Sequence, residues 1–231
     1  MNKKPAFYAF FLFIVCAAVL FRVVRLDIRP MHHDEANQAV KFGDLLEKGE
    51  YTYDPIEHHG PSLYYISLPV AWMVSGKSFA ALDETTLRLV TAIFGVGVVL
   101  LLLLLKDGFS PSAILFSGIF AAVSPIMVFY SRFYIQETLL VFFLLGVLAA
   151  SWRYHVDRTW GWAAATGFFI GLMCATKETC VIAFGALFMG LLLARIFTKE
   201  PMGEKPRLSH DLILLGSALI AAFLLFSSFF K

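Results

Sequence analysis

The one long polar stretch of this chain is His32-His33-Asp34-Glu35, followed at a short distance by Tyr51-Thr52-Tyr53-Asp54-Pro55-Ile56-Glu57-His58-His59-Gly60-Pro61. It gathers carboxylates and imidazoles, the side chains that move protons and ligate metal ions. Two smaller groups accompany it, Ser131-Arg132-Phe133 with Glu137, and Thr176-Lys177-Glu178. Ionisable side chains are costly in or beside a bilayer, so clusters that persist there are functional candidates by default. The ordinary alternative is a solvated loop.

A bilayer is implied by composition. The 231 residues are 59% hydrophobic and only 16% charged, with a mean hydropathy of +0.74. Such values describe a polytopic, all-α membrane protein. A net charge of +2 and the lack of a Lys/Arg stripe give no footprint for nucleic acid. Cys16, Cys174 and Cys180 lie in apolar contexts that match neither a zinc pattern nor a disulfide framework, so they read as free thiols, although Cys174 and Cys180 flank one turn and can pair. Lys3 and Lys4 ahead of Phe7–Phe21 read as the start of an uncleaved anchor.

Apolar runs of spanning length fall at about 6–26, 87–105, 112–130, 137–152, 160–176, 179–197 and 211–230, giving seven expected transmembrane helices. An eighth run, 62–77, is short, follows Pro61 and contains Pro69, so it is either a span or a helix lying in the interface. Loop charge favours the second reading. If 62–77 does not cross, then Lys3/Lys4, Lys106, Arg153/Arg158 and Arg195/Lys199/Lys205/Arg207 share one side, as the cytoplasmic preference of basic loops requires. Asp34, Glu35, His58, His59, Glu137, Lys177 and Glu178 then share the other. The expected organisation is one membrane domain over 1–231, with a 27–86 extracytoplasmic loop holding two surface helices and six further spans over 87–231. The N-terminus is expected to be cytoplasmic and the protein to sit in the plasma (inner) membrane.

Within the loop, Asp34 reads as an N-cap, with Ala36, Ala39, Val40, Gly43 and Leu46 at helical spacing and Gly49 as the stop. A second surface helix is expected after Pro61, carrying Leu63, Tyr64, Tyr65, Ile66 and Leu68. Tyr51–Pro55 between them reads as an extended, turn-prone linker.

Taken together, His-Asp-Glu after the first span, Tyr-Asp-Pro-x-x-His-His-Gly-Pro-x-Leu-Tyr-Tyr, Arg-Leu-Val at 88–90, Ser-Arg-Phe-x-x-x-Glu at 131–137 and Thr-Lys-Glu at 176–178 resemble a C-type glycosyltransferase. The resemblance is to glycosyltransferase family 39, the protein O-mannosyltransferase and aminoarabinose transferase group, and within it to the flippase-activity-associated branch. It covers nearly the whole chain and corresponds to the N-terminal module of that family, whose members continue with more spans and often an extracytoplasmic domain. A fragment, a minimal version or one subunit of a split enzyme would each fit.

The resemblance implies transfer of a sugar from a polyprenyl-phosphate carrier to an acceptor on the outer face, with inversion. A phosphodiester-linked sugar leaves as an acidic phosphate, so it wants cations, whereas an acceptor hydroxyl wants a carboxylate base. Asp34 matches the family's first-loop Asp and is the expected base, with Glu35 beside it. Lys177 matches the lysine of a family Thr-Lys-Gly turn and, with Arg132, His59 and His58, is expected to hold the carrier phosphate. Relatives often carry Lys-Pro-Pro where this chain has His59-Gly60-Pro61, and imidazole is a poorer phosphate clamp but a good metal ligand. Asp34, Glu137 and His33 are therefore candidate ligands for Mg, Mn or Zn, and no cofactor is required by the sequence. Glu178, Tyr53 and Asp54 complete the candidate set. Expected partners are the lipid-linked sugar, membrane lipids and other membrane subunits.

Each residue also has an ordinary account. Glu137 and Glu178 fall in first turns and Lys177 in a last turn, where they complement helix dipoles. Arg88 reads as a surface anchor after Asp83 and Glu84, and Gly167, Gly171 and Ala175 as a helix-packing face. No phosphate-cradling glycine loop is present, which fits a lipid-linked donor. Two other functions remain open, a noncatalytic scaffold subunit of a larger membrane assembly and a translocation partner for lipid-linked saccharides.

Overall fold

The structure, a computed structural model, describes residues 4–54, 59–197 and 207–227. The described residues form ten α-helices and no strand. These are α1 (Lys4–Val23), α2 (His33–Lys48), α3 (Ser62–Ser75), α4 (Glu84–Leu101), α5 (Pro111–Val123), α6 (Pro125–Ser131), α7 (Glu137–Asp157), α8 (Trp160–Cys174), α9 (Cys180–Phe197) and α10 (Leu208–Phe226). A 3-10 turn prolongs α4 to Leu105.

Five segments are long and apolar enough to cross a membrane: Pro5–Val23, Glu84–Leu105, Glu137–Asp157, Cys180–Phe197 and Leu208–Phe226. A sixth is broken. The run expected as one straight span over 112–130 is two helices, α5 and α6, bent by 58° between Val123 and Pro125. The run expected over 160–176 is α8, whose 15 residues rise about 22 Å, less than the ~30 Å of a hydrocarbon core.

Physical chemistry accounts for the bend and for its repair. Pro125 has no N–H to offer the carbonyl four residues back, which is Ala121, so the break leaves carbonyls at the end of α5 without helical partners. Arg22, fully buried near the end of α1, supplies the missing donors. Its guanidinium reaches the Ala121 carbonyl at 2.7 Å, the Ala122 carbonyl at 2.9 Å and Ser131 Oγ at 3.1 Å. Arg132 closes the end of α1 in the same way, donating to the Phe21, Val24 and Arg25 carbonyls at 3.0, 2.8 and 2.7 Å. Two arginines thus satisfy two negative helix ends.

The chain reverses so that chemistry-bearing loops collect at one end. There Arg88 of α4 meets Glu35 of α2, Lys177 meets Glu137, and the Tyr53 ring packs on Phe226 of α10. At the opposite end Lys106 lies by Tyr8, Arg153 pairs with Asp107, and His210 lies by Tyr154. Lys106, Arg153 and Arg207 therefore share one end, while Lys3, Lys199 and Lys205 lie outside the described residues.

α3 does not connect the two ends. Its start is bonded to the Ala175–Thr176 turn, and the segment after it returns to α2, where the Phe79 N–H donates to Glu47 Oε1 at 3.0 Å. α3 therefore lies across the same end as α2.

The small-residue face expected on α8 is used against α10. A Cβ on Gly167 would collide with the Leu214 carbonyl and Ser217, and one on Gly171 with the Ala218 carbonyl. Without a solvent-driven apolar term between spans, such close backbone approach carries helix association. Gly171→Val should force α8 and α10 apart and cost at least about 2 kcal/mol, by analogy with overpacked cores. A lowered melting temperature in detergent would show it, and an unchanged one would mean that the α8–α10 contact is dispensable.

Candidate functional site

The site is built on the first turn of α2. Its N-cap is His32, not Asp34: the His32 ring Nδ1 accepts from the Asp34 N–H at 3.3 Å, and Glu35 Oε2 accepts from the His32 N–H at 3.1 Å. This reciprocal arrangement is a capping box with imidazole in place of a hydroxyl. Asp34 lies inside the helix, and its carboxylate is 62% exposed, 3.4 Å from His32 Nδ1.

Glu35, expected to stand with Asp34 in the chemistry, points the other way. Its carboxylate is 0% exposed and is paired with Arg88 through Nε at 2.8 Å and a terminal nitrogen at 2.9 Å. The Tyr134 N–H adds a bond at 3.0 Å and Arg29 a longer contact at 3.4 Å. Arg88 is 1% exposed and also donates to the Leu26 and Arg29 carbonyls, at 2.7 and 2.8 Å. Arg88 is thus no surface anchor: it follows Glu84 by one turn, but α2 and the 26–30 segment fold over it. Burial alone would push the Glu35 carboxyl up, but the Arg88 bonds and the Tyr134 and His32 N–H donors outweigh it and hold the group below its ordinary value.

On the open side of α2 lies a cavity of about 290 Å³ bordered by Asp34, Asn37, Gln38, His59, Gln136 and Glu137. Its lower wall is a polar network: Gln136 Nε2 donates to Gln38 Oε1 at 2.8 Å, and the Tyr64 hydroxyl donates to the same oxygen. Glu137 Oε1 accepts from Lys177 Nζ at 2.6 Å. Gln136 Oε1 and Glu137 Oε2 are buried with no hydrogen-bond partner among the described residues. Unmet acceptors beside a cavity are positioned to take donors from a hydroxyl-rich ligand.

The turn after α8 supplies the remaining wall. The Gly60 N–H donates to the Thr176 carbonyl at 3.1 Å and the Ser62 N–H to the Ala175 carbonyl at 2.9 Å, while Ser62 Oγ and Thr176 Oγ1 share a bond of 2.8 Å. This backbone zipper sets His59 Nδ1 3.0 Å from Glu178 Oε2, and the Tyr53 hydroxyl donates to Glu178 Oε1 at 3.2 Å. Partial burial pushes the Glu178 carboxyl up, but a backbone N–H, His59 and Tyr53 together leave it below its ordinary value.

The structure therefore brings Asp34, His59 and Glu137 to one cavity, with Lys177 and Glu178 bonded to its walls. Tyr53 touches it only through Glu178, and half-buried Asp54 does not line it. Arg132 spends its terminal nitrogens on the end of α1, and His33 lies beside Asn37 at 3.2 Å on the exposed side of α2. His58 lies outside the described residues. Among the described residues no group of three His, Cys, Asp or Glu side chains is arranged to hold a metal ion. Gln38, Gln136 and Asn37 were not anticipated, since neutral amides on a helix or turn carry no signal until a cavity forms beside them.

Residues 68–229 match the model of the family described as dolichyl-phosphate-mannose-protein mannosyltransferase. No curated protein matches the chain in sequence. Among solved structures, the Saccharomyces cerevisiae protein O-mannosyltransferase Pmt1–Pmt2 complex bound to the sugar donor aligns with a TM-score of 0.70 at 19% identity, over 100% of this chain and 33% of that one. The archaeal oligosaccharyltransferase AglB from Archaeoglobus fulgidus, in complex with an inhibitory peptide and a dolichol-phosphate, aligns with a TM-score of 0.69 at 18% identity, over 95% of this chain and 33% of that one. The fold is thus that of C-type glycosyltransferases, and the chain spans about a third of the length of each solved relative.

Removing one partner of a buried ion pair leaves an uncompensated charge. Arg88→Met should destabilise the protein by about 3–5 kcal/mol. Because Glu35 titrates below its ordinary value of 4.5 in the folded state, its contribution is present above that pH and is lost as pH falls through the folded value. The stability gap between the wild type and Arg88→Met should accordingly be widest near neutral pH and narrow as pH falls through the folded Glu35 value, as read by thermal melts across pH 3–7. Coincident acid profiles would mean that the pair does not govern stability.

Proposed function

The chain belongs to the dolichyl-phosphate-mannose-protein mannosyltransferase family, and on that premise we propose that it transfers a sugar from a polyprenyl-phosphate carrier to an acceptor hydroxyl. The transfer takes place at the end of the bundle that carries Asp34, on the extracytoplasmic face of the inner membrane, with the N-terminus in the cytoplasm. The basic loops at the opposite end support that orientation.

The observation that carries the reading is the single cavity with Asp34 on one wall and the Glu137–Lys177 pair on another. Asp34 is exposed and outside the Glu35–Arg88 network, so its carboxylate is open to an incoming hydroxyl. It takes the hydroxyl proton as the acceptor oxygen bonds to the anomeric carbon. The carbon–oxygen bond to phosphate breaks on the opposite face, its electron pair leaves with the carrier phosphate, and the configuration inverts. The leaving group needs charge rather than a proton. Lys177, held at the wall by Glu137, and His59, set by Glu178, are the groups beside the cavity able to supply it. The open acceptors of Gln136 and Glu137 suit sugar hydroxyls.

Transfer from radiolabelled polyprenyl-phosphate monosaccharides is the direct test, in membranes carrying the full protein. Asp34→Asn should lower turnover by about 10²–10⁴-fold, the usual share of a general base, while leaving donor binding in place. Lys177→Gln should act chiefly on the KM for the donor. Equal transfer by wild type and Asp34→Asn would discard the base assignment. Absence of transfer from every donor, with a stable copurifying membrane partner, would favour the scaffold or translocation role instead.

A further inference from the structure

A second cavity, of about 250 Å³, lies at the end of α1 and shares no lining residue with the one beside Asp34. Four arginines border it, Arg25, Arg29, Arg88 and Arg132, with Ile28 and Phe129 in its apolar lining. We propose that this cavity binds the phosphate of an anionic membrane phospholipid, as a lipid site separate from the proposed donor site.

Charge is the first argument. Four arginines line the cavity, and among the described residues the carboxylate bonded to any of them is Glu35, which is shared by Arg88 and, at 3.4 Å, Arg29. Asp27, in the same segment, is exposed and makes no ion pair among the described residues. The crowding shows in Arg132, whose pKa is lowered first by burial and then by Arg29 and Arg88. A pocket with this surplus of positive charge is relieved by an anion, and guanidinium forks match phosphate oxygens.

The arginines are not equally committed. Arg88 is spent on Glu35 and backbone carbonyls, and Arg132 on the end of α1. Arg29 lies over the Phe133 ring at 4.4 Å and touches Glu35 only at the long distance above. The Arg25 guanidinium makes no hydrogen bond or ion pair among the described residues, yet its backbone is held at φ 56°, a left-handed conformation that L residues rarely adopt. The Arg132 bond to the Arg25 carbonyl, at 2.7 Å, fixes that turn. The chain thus holds a strained position that leaves one arginine free at the cavity.

Placement names the anion. Phe21, Val24, Ile28 and Phe129 are 48%, 48%, 58% and 49% exposed around the same helix end. An apolar collar below and a cationic cavity above match the acyl chains and phosphate of a lipid. The arginines also stand at the end opposite the basic loops, against the usual distribution of charge. Arg22 and Arg132 have structural partners there, whereas the Arg25 side chain has no hydrogen-bond or ion-pair partner among the described residues.

The test is lipid retention and thermal stabilisation of the purified full chain in detergent, with phosphatidylglycerol, phosphatidylcholine or inorganic phosphate added separately. Phosphatidylglycerol should bind and stabilise, with phosphatidylcholine and inorganic phosphate far weaker. Arg25→Gln should weaken phosphatidylglycerol binding about fivefold, the share of one arginine at a membrane surface, and Arg25→Lys should restore part of it. Because the Arg25 side chain makes no hydrogen bond or ion pair among the described residues, its variants should melt like the wild type in lipid-free detergent, and sugar transfer gives an independent check that the protein is intact. Equal stabilisation by both phospholipids, or wild-type affinity in Arg25→Gln, would overturn the proposal. A free phosphate effect as large as that of the lipid would make the cavity a site for soluble anions and overturn the lipid assignment.

Discussion

The buried pair between Glu35 and Arg88 fixes the working end of this protein. One carboxylate is bonded by the side chain of α4, by the backbone at the start of α2 and by the Tyr134 N–H in the turn before α7. Arg88 extends the network to the carbonyls of Leu26 and Arg29. Four separate parts of the chain are thereby positioned around two side chains. A buried pair is weak evidence for net stability, because desolvation offsets much of its attraction, but an arrangement that separated its two members would leave a buried charge uncompensated. Among the described residues Arg88 pairs with no other carboxylate, and the one other ion pair of Glu35 is the longer Arg29 contact at 3.4 Å.

That arrangement lets neighbouring carboxylates differ in role. Asp34 and Glu35 are adjacent on the first turn of α2, where successive side chains diverge by about 100°. Glu35 turns inward to the ion pair and closes the capping box, and Asp34 is left outward, beside the cavity. Because His32 rather than Asp34 caps the helix, the Asp34 oxygens are not consumed by backbone N–H groups. On the proposed reading of Asp34 as a base, the scaffold that positions it is supplied by the next residue in sequence.

The sequence announced the helical membrane class, the polar loop with its two surface helices, the Gly49 stop and the α8 packing face, because each rests on local composition or periodicity. It did not announce the bend at Pro125, where an apolar run of sufficient length concealed a proline whose cost Arg22 offsets from more than 100 residues away. Arg132, read as a phosphate ligand, also donates to the carbonyls at the end of α1, a contact the sequence did not announce: an arginine can serve an anion or a helix end, and tertiary proximity is needed to see the second. Glu35 and Arg88 were misjudged because burial of a charge cannot be seen without the partner that makes it tolerable. Asp34, His59, Glu137 and Lys177 were legible as a group, since ionisable residues placed at one level of a membrane protein have few reasons to be there.

The His59-Gly60-Pro61 sequence also has a physical reason in this fold. Residues 60–62 run against the Ala175–Thr176 turn as a two-bond zipper, and a Cβ on Gly60 would collide with the Ala175 carbonyl. Glycine is therefore what permits contact between the first loop and the turn that bears Lys177. Once that contact is made, the residue before the glycine is delivered to Glu178, where an imidazole of either charge can stay hydrogen-bonded at 3.0 Å. A lysine there would form an ion pair with Glu178, whereas the planar histidine ring meets the same carboxylate through one ring nitrogen.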